Sequence, residues 1–112
     1  MEDAAAAFVN ARDRALNNQP SPQMLQRVNA SLMEVERQLT RPQGLITRAW
    51  FRNLIYASDE NNGYATMVFP SVGEAIRAGD QKVVAREIND LATRFDAATI
   101  ALQRSTEILR GM

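Results

Sequence analysis

Between Gly44 and Pro70 this chain loses the helical periodicity that it keeps on either side. That interruption constrains the fold more than any other feature. An irregular connection longer than about 15 residues is uncommon inside a compact domain, and is usually either functional or disordered. This one holds the only tryptophan (Trp50), both tyrosines (Tyr56 and Tyr64) and the phenylalanines Phe51 and Phe69. Aromatic residues are depleted in disordered chains, so the segment is expected to pack. It can cover the chain's own helices or dock on another surface, and its residue pattern alone leaves both readings open. Trp50–Tyr56 is too short for periodicity to separate strand, extended segment and helical turn. Ser58–Gly63 (SDENNG) reads as a turn, and Tyr64–Phe69 as extended chain.

The flanks read as helices, which makes the fold class all-α: a four-helix bundle with the long aromatic connection between its second and third helices. The first helix is expected over about Asp3–Asn17, with Asp3 as its cap and Phe8, Ala11 and Ala15 as a thin apolar stripe. Pro20 ends it. Ser21-Pro22 opens the second, a cap candidate followed by proline at the first helical position. Leu25, Val28, Leu32, Val35 and Leu39 form one apolar face there, and Pro42 stops the helix near Thr40. Ser71 and Glu74 have the spacing of a capping box for a short third helix that Gly79 terminates. Asp80 then caps the last and longest helix, about Gln81–Leu109. Its seam is Val84, Ile88, Leu91, Phe95, Ala98, Leu102, Ser105 and Leu109. Arg86 with Asp90, and Asp90 with Arg94, are spaced for ion pairs on its exposed side. Short connections make neighbouring helices antiparallel. With 112 residues the chain suits a single helical domain over 1–112.

Composition excludes several kinds of chemistry. There is no cysteine and no histidine, so thiolate ligands, cysteine nucleophiles and imidazole ligands or bases are all missing. No catalytic set and no metal site is expected from the remaining residues. Glu34 and Glu36 lie on different helix faces, and Asp59-Glu60 in SDENNG lacks the spacing of a calcium loop. The formal net charge is zero, which argues against nucleic acid as a partner. No window approaches a membrane span, and the acidic start MEDAAAA does not have the form of a secretory signal. Arg37, Arg41, Arg48 and Arg52 follow one another with no acid between Glu36 and Asp59. They can form an anion-binding patch, ion pairs to a partner surface, or a solvated set. Arginine outnumbers lysine twelve to one, which suits fixed bidentate contacts. A free-standing adaptor that binds an anionic peptide or phosphate through this segment is therefore one candidate function.

Another comes from a resemblance. The order R-P-Q-G-L, R-A-W-F-R-N-L-I-Y-A-S, N-N-G-Y-A and F-P-S-V-x-E-A-I, from about Leu25 to about Leu102, is similar to the transferrin receptor-like dimerisation domain. That is the C-terminal helical domain of the glutamate carboxypeptidase II-like zinc peptidases and of transferrin receptor. The resemblance implies a non-catalytic domain cut from a larger peptidase-like chain. It would pack on a catalytic domain and on a second copy, with zinc held in that other domain and no cofactor here. Read from the residues themselves, docking would run through Arg48, Trp50, Phe51, Arg52, Tyr56, Tyr64 and Phe69, since aromatics and arginine are enriched where interfaces bury surface. The resemblance also implies a contribution of Tyr64 to the parent's substrate pocket. The cation that accompanies this tyrosine in glutamate-preferring members is replaced by Gly63.

Overall fold

A computed structural model describes residues 1–61, 63 and 65–111. It contains helices α1 (Glu2–Asn17), α2 (Pro22–Gln38), α3 (Pro70–Ala78) and α4 (Gln81–Arg110), and a hairpin of β1 (Tyr56–Ser58) and β2 (Thr66–Val68). The fold is thus all-α in class, with four helices and one small sheet inside the aromatic connection. The chain divides into two compact units, one of residues 1–38 and 95–112, the other of residues 39–94.

The first unit is built from α1, α2 and the later half of α4. Ala11, Ala15, Val28 and Leu109 form its buried cluster, with Phe8, Leu32 and Ile108 packed against it. Alanines on α1 present little side-chain bulk, so little apolar area is gained per residue. Ser105, fully buried, donates to the Ala101 carbonyl (3.1 Å) and so accepts from the Ser31 hydroxyl at 2.7 Å. Asp3 is not a cap: α1 starts at Glu2, with Met1 in the cap position and no side-chain cap bond. The acids Glu2 and Asp3 instead lie in the first turn, where they favour the helix dipole. Ser21 does cap α2, accepting from the Met24 N–H at 3.2 Å. Within the α2 stripe Val28 is buried and Leu25 is exposed.

The second unit carries the aromatic segment. α2 ends at Gln38, two residues short of the expected Thr40. Thr40 has left the helix and forms an isolated bridge with Asn53. Leu54 then donates to the Leu39 carbonyl (3.1 Å) and Arg41 to the Arg52 carbonyl (2.8 Å), which closes the segment into a loop. The hairpin is antiparallel, with Tyr56 opposite Val68, Ala57 opposite Met67 and Ser58 opposite Thr66. Ala57 and Met67 point inward, and Leu45, Leu54, Ala75 and Leu91 complete the buried apolar set. The alternation of strand faces leaves Tyr56, Ser58, Thr66 and Val68 exposed.

Ser71 and Glu74 do not form a capping box. α3 starts at Pro70, so Ser71 lies inside the helix, and the cap position is Phe69 with no side-chain cap bond. The end of α3 is as expected. Gly79 sits at φ 78° and its N–H bonds the Ala75 and Ile76 carbonyls. Asp80 Oδ1 then accepts from the Lys82 and Val83 N–H groups at 3.0 and 3.4 Å. On α4, Leu91, Ala98, Leu102, Ser105 and Leu109 of the expected seam are buried, whereas Ile88 is half exposed.

Candidate docking surface

The aromatic segment is held by charges as well as by its buried apolar residues, Leu45 and Leu54. Gly44 turns the chain at φ 72°, and its N–H bonds the Arg41 carbonyl at 2.9 Å. A Cβ there would run into the backbone of Ala49, with Ala49 Cα only 2.8 Å away. Arg41 locks this turn: its Nε donates to the Gly44 carbonyl (2.8 Å) and its Nη1 to Glu87 (2.5 Å) and Asp90 (3.3 Å) on α4. Arg94 donates to Asp90 at 3.0 Å and to the Thr40 carbonyl at 2.8 Å. The expected Asp90–Arg94 pair therefore exists, but as part of a half-buried network that includes Arg41. Arg86 lies 3.9 Å from Glu87, and Asp90 is engaged by Arg41 and Arg94 instead.

Arg48 and Glu74 form the second anchor. Arg48 Nη2 lies 2.8 Å from Glu74 Oε1, and Glu74 Oε2 accepts from the Thr47 hydroxyl at 2.7 Å. Their side chains are 14% and 4% exposed. Arg48 Nη1 also donates to the Ser58 carbonyl at the end of β1 (2.8 Å), and its guanidinium lies 5.5 Å from the Phe51 ring centroid. A third anchor holds the hairpin end. Arg77 on α3 grips Asp59 with two bonds of 2.9 and 2.6 Å, and Asp59 also accepts from the Asn61 N–H. The bond to Asp59 raises the Arg77 guanidinium above its already high usual pKa, against a smaller opposing effect of desolvation. At the start of β1, Asn53 Oδ1 accepts from the Ile55 and Tyr56 N–H groups, an Asx turn.

These pairings decide between the readings of the arginine run. Arg41 and Arg48 are neutralised by carboxylates of this chain, and Arg37 pairs with Glu34. The run is not a free anion patch. Only Arg52 of the four is exposed with no ion pair recorded among the described residues. Sequence reading missed the partners of Arg41 and Arg48 because they lie 26 to 49 residues away. The available signal was acids on α3 and α4 at positions that a local rule would have left in solvent.

The aromatic residues divide. Leu54 and Leu45 fill the interior, while Trp50 is 76% exposed and Tyr56 58%. Phe51 is half-buried and meets Trp50 edge to face, with centroids 5.8 Å apart at 77°. Ile46, Val68 and Phe69 are exposed as well. Phe69 has φ 50°, a left-handed backbone that a bulky residue rarely adopts. Tyr64, the expected pocket contributor, lies outside the described residues. Among the described residues no cluster of three or more acidic, histidine or cysteine side chains could hold a metal, and no helix is long and apolar enough to cross a membrane.

Comparison with known proteins places this arrangement. Residues 1–103 match the transferrin receptor-like dimerisation domain. The chain belongs to that family. The match includes α1, which the sequence resemblance, starting at about Leu25, had left out. Among relatives of this dimerisation domain, the "probable glutamate carboxypeptidase" of Arabidopsis thaliana is 38% identical over 84 residues, 75% of this chain and 12% of that protein. That of Zea mays is 28% identical over 86 residues, again 75% and 12%. An "inactive zinc metalloprotease" of Schizosaccharomyces pombe is 31% identical over 74 residues, 66% of this chain and 9% of that protein. The matched segment thus spans 9 to 12% of the length of these relatives.

Proposed function

We propose that this dimerisation domain is a non-catalytic part of a zinc-peptidase-like parent. It joins two copies of that parent and docks its exposed aromatic surface on the parent's catalytic domain. The observation that carries this reading is the contrast within the second unit. Its irregular segment is anchored by three arginine–carboxylate contacts, yet it leaves Trp50 and Tyr56 in solvent. Exposed aromatics on an anchored segment are the kind of residue that carries binding energy at interfaces. Arg52 stands beside them in sequence as a cation for the rim of that surface.

The glutamate carboxypeptidase names of the relatives support a peptidase parent. Zinc belongs to its catalytic domain. This chain, with neither histidine nor cysteine, has only oxygen ligands to offer a metal that favours nitrogen and sulfur. By its place in the sequence Tyr64 falls between β1 and β2, and the family resemblance supports it as the residue that this domain lends to the substrate pocket of that domain. The experiment has two parts. Light scattering at several concentrations should show self-association of the chain. The emission of Trp50, the sole tryptophan, should shift to the blue when the separately expressed catalytic domain from the same reading frame is added, and the shift should be absent in Tyr56→Ala. A strict monomer, or a reading frame with no peptidase-like domain, overturns the proposal.

A further inference from the structure

Arg48 is 14% exposed at its side chain, so it offers little surface to a partner. Its contacts give it another role. The guanidinium joins three parts of the second unit: Glu74 on α3, the Ser58 carbonyl at the end of β1, and the ring of Phe51. Its main chain sits at the centre of the turn, donating to the Leu45 carbonyl (3.2 Å) and accepting from the Phe51 N–H (2.9 Å). Phe51 in turn supplies the ring contact of Trp50. Trp50 is otherwise largely in solvent, where an exposed side chain changes rotamer in picoseconds to nanoseconds. A chain of contacts thus runs from a buried ion pair to an exposed indole.

We infer that Arg48 is the positioning residue of the docking surface, holding Trp50 in one pose through Phe51 before any partner arrives. The inference rests on the docking reading for its purpose, but its geometry stands apart from it. Only a planar cation with donors on several edges can bond Glu74 and Ser58 while lying near the Phe51 ring; a lysine ammonium is a point charge and cannot do all three. Surfaces ordered in advance bind more tightly, because each rotamer-rich side chain left mobile adds an ordering cost on association.

The test is Arg48→Lys in the full 112-residue chain, with Phe51→Leu as a second variant. Three signals are read: far-ultraviolet circular dichroism for helix content, near-ultraviolet dichroism for a fixed aromatic environment, and the time-resolved anisotropy of Trp50. The expected result is unchanged helix content, loss of most near-ultraviolet signal and faster local rotation of Trp50, in both variants. A folded Arg48→Lys protein with wild-type Trp50 signals overturns the inference. Should Arg48→Lys fail to fold, Phe51→Leu decides. Loss of the Trp50 signals in a folded protein supports the relay through Phe51, and wild-type signals refute it. Failure of the docking reading is seen separately, as no blue shift of wild-type Trp50 when the catalytic domain is added.

Discussion

Replacing Gly44 by alanine tests whether the loop before the hairpin is as tightly determined as its contacts imply. Two costs combine. A left-handed backbone at φ 72° costs a non-glycine residue about 1–2 kcal/mol. The added Cβ also collides with the backbone of Ala49, which cannot rotate away as a flexible side chain can. The turn must open, and it contains the Gly44 N–H to Arg41 carbonyl bond and the Arg41 Nε to Gly44 carbonyl bond. Each hydrogen bond contributes about 0.5–1.5 kcal/mol net, so the total is about 2–5 kcal/mol. Gly79 is the internal control. Its φ of 78° is nearly the same, but no atom lies within 4 Å of its missing Cβ. Gly79→Ala should therefore cost only the backbone part, about 1–2 kcal/mol. Urea unfolding followed by circular dichroism measures both. Thermal scans should show Gly44→Ala melting well below Gly79→Ala, since 1 kcal/mol shifts Tm by roughly 4 °C in a domain of this size. Equal destabilisation of the two variants would show that Ala49 gives way freely, and the tight-loop argument would fail.

Four other perturbations have definite expected outcomes. Glu74→Ala leaves the Arg48 cation buried without its partner and should cost about 3–5 kcal/mol in denaturant unfolding; Glu74→Gln, whose single carbonyl oxygen can still accept from Arg48 while its amide donates to the Thr47 hydroxyl, should cost clearly less. Asp80→Ala removes the cap of α4 and should cost about 0.5–2 kcal/mol by the same measurement. Trp50→Ala should leave stability within about 0.5 kcal/mol, because an exposed side chain is removed, while docking on the catalytic domain is weakened in a binding titration. The Arg77–Asp59 contact should respond to salt but not to pH. A raised guanidinium pKa contributes stability that is complete below the unfolded value and lost only on rising through the folded one, above any working pH. Amide exchange at Asn61 should accordingly quicken in high salt, and be flat between pH 6 and 9 after correction for intrinsic exchange.

The second unit shows where sequence reading fails and why. SDENNG is legible as a turn from composition, but the hairpin is not, because strands of three residues, Tyr56–Ser58 and Thr66–Val68, are too short for periodicity to identify. Ser71 and Glu74 mislead because the spacing of a capping box is met by chance inside a helix that begins one residue earlier, at Pro70. Once Ser71 is in the first turn, Glu74 faces Arg48 instead of the helix start. Asp3 fails for the same reason, since a two-residue shift of the cap, from Asp3 to Met1, turns it into a first-turn acid.

What the amino-acid order determined by itself is the set of helices and some of their ends: the end of α1, the start of α2, the end of α3 and the start of α4. Apolar recurrence, Ser21-Pro22, Gly79 and Asp80 act through bonds within a few residues, so their effect is written locally. Tertiary structure alone decided which charges meet and which aromatics stay outside. Arg41 and Glu87 are 46 residues apart, and Arg48 and Glu74 are 26 apart. Coulomb attraction and burial depend on distance in space, and no pattern along the chain encodes that distance until the loop has closed.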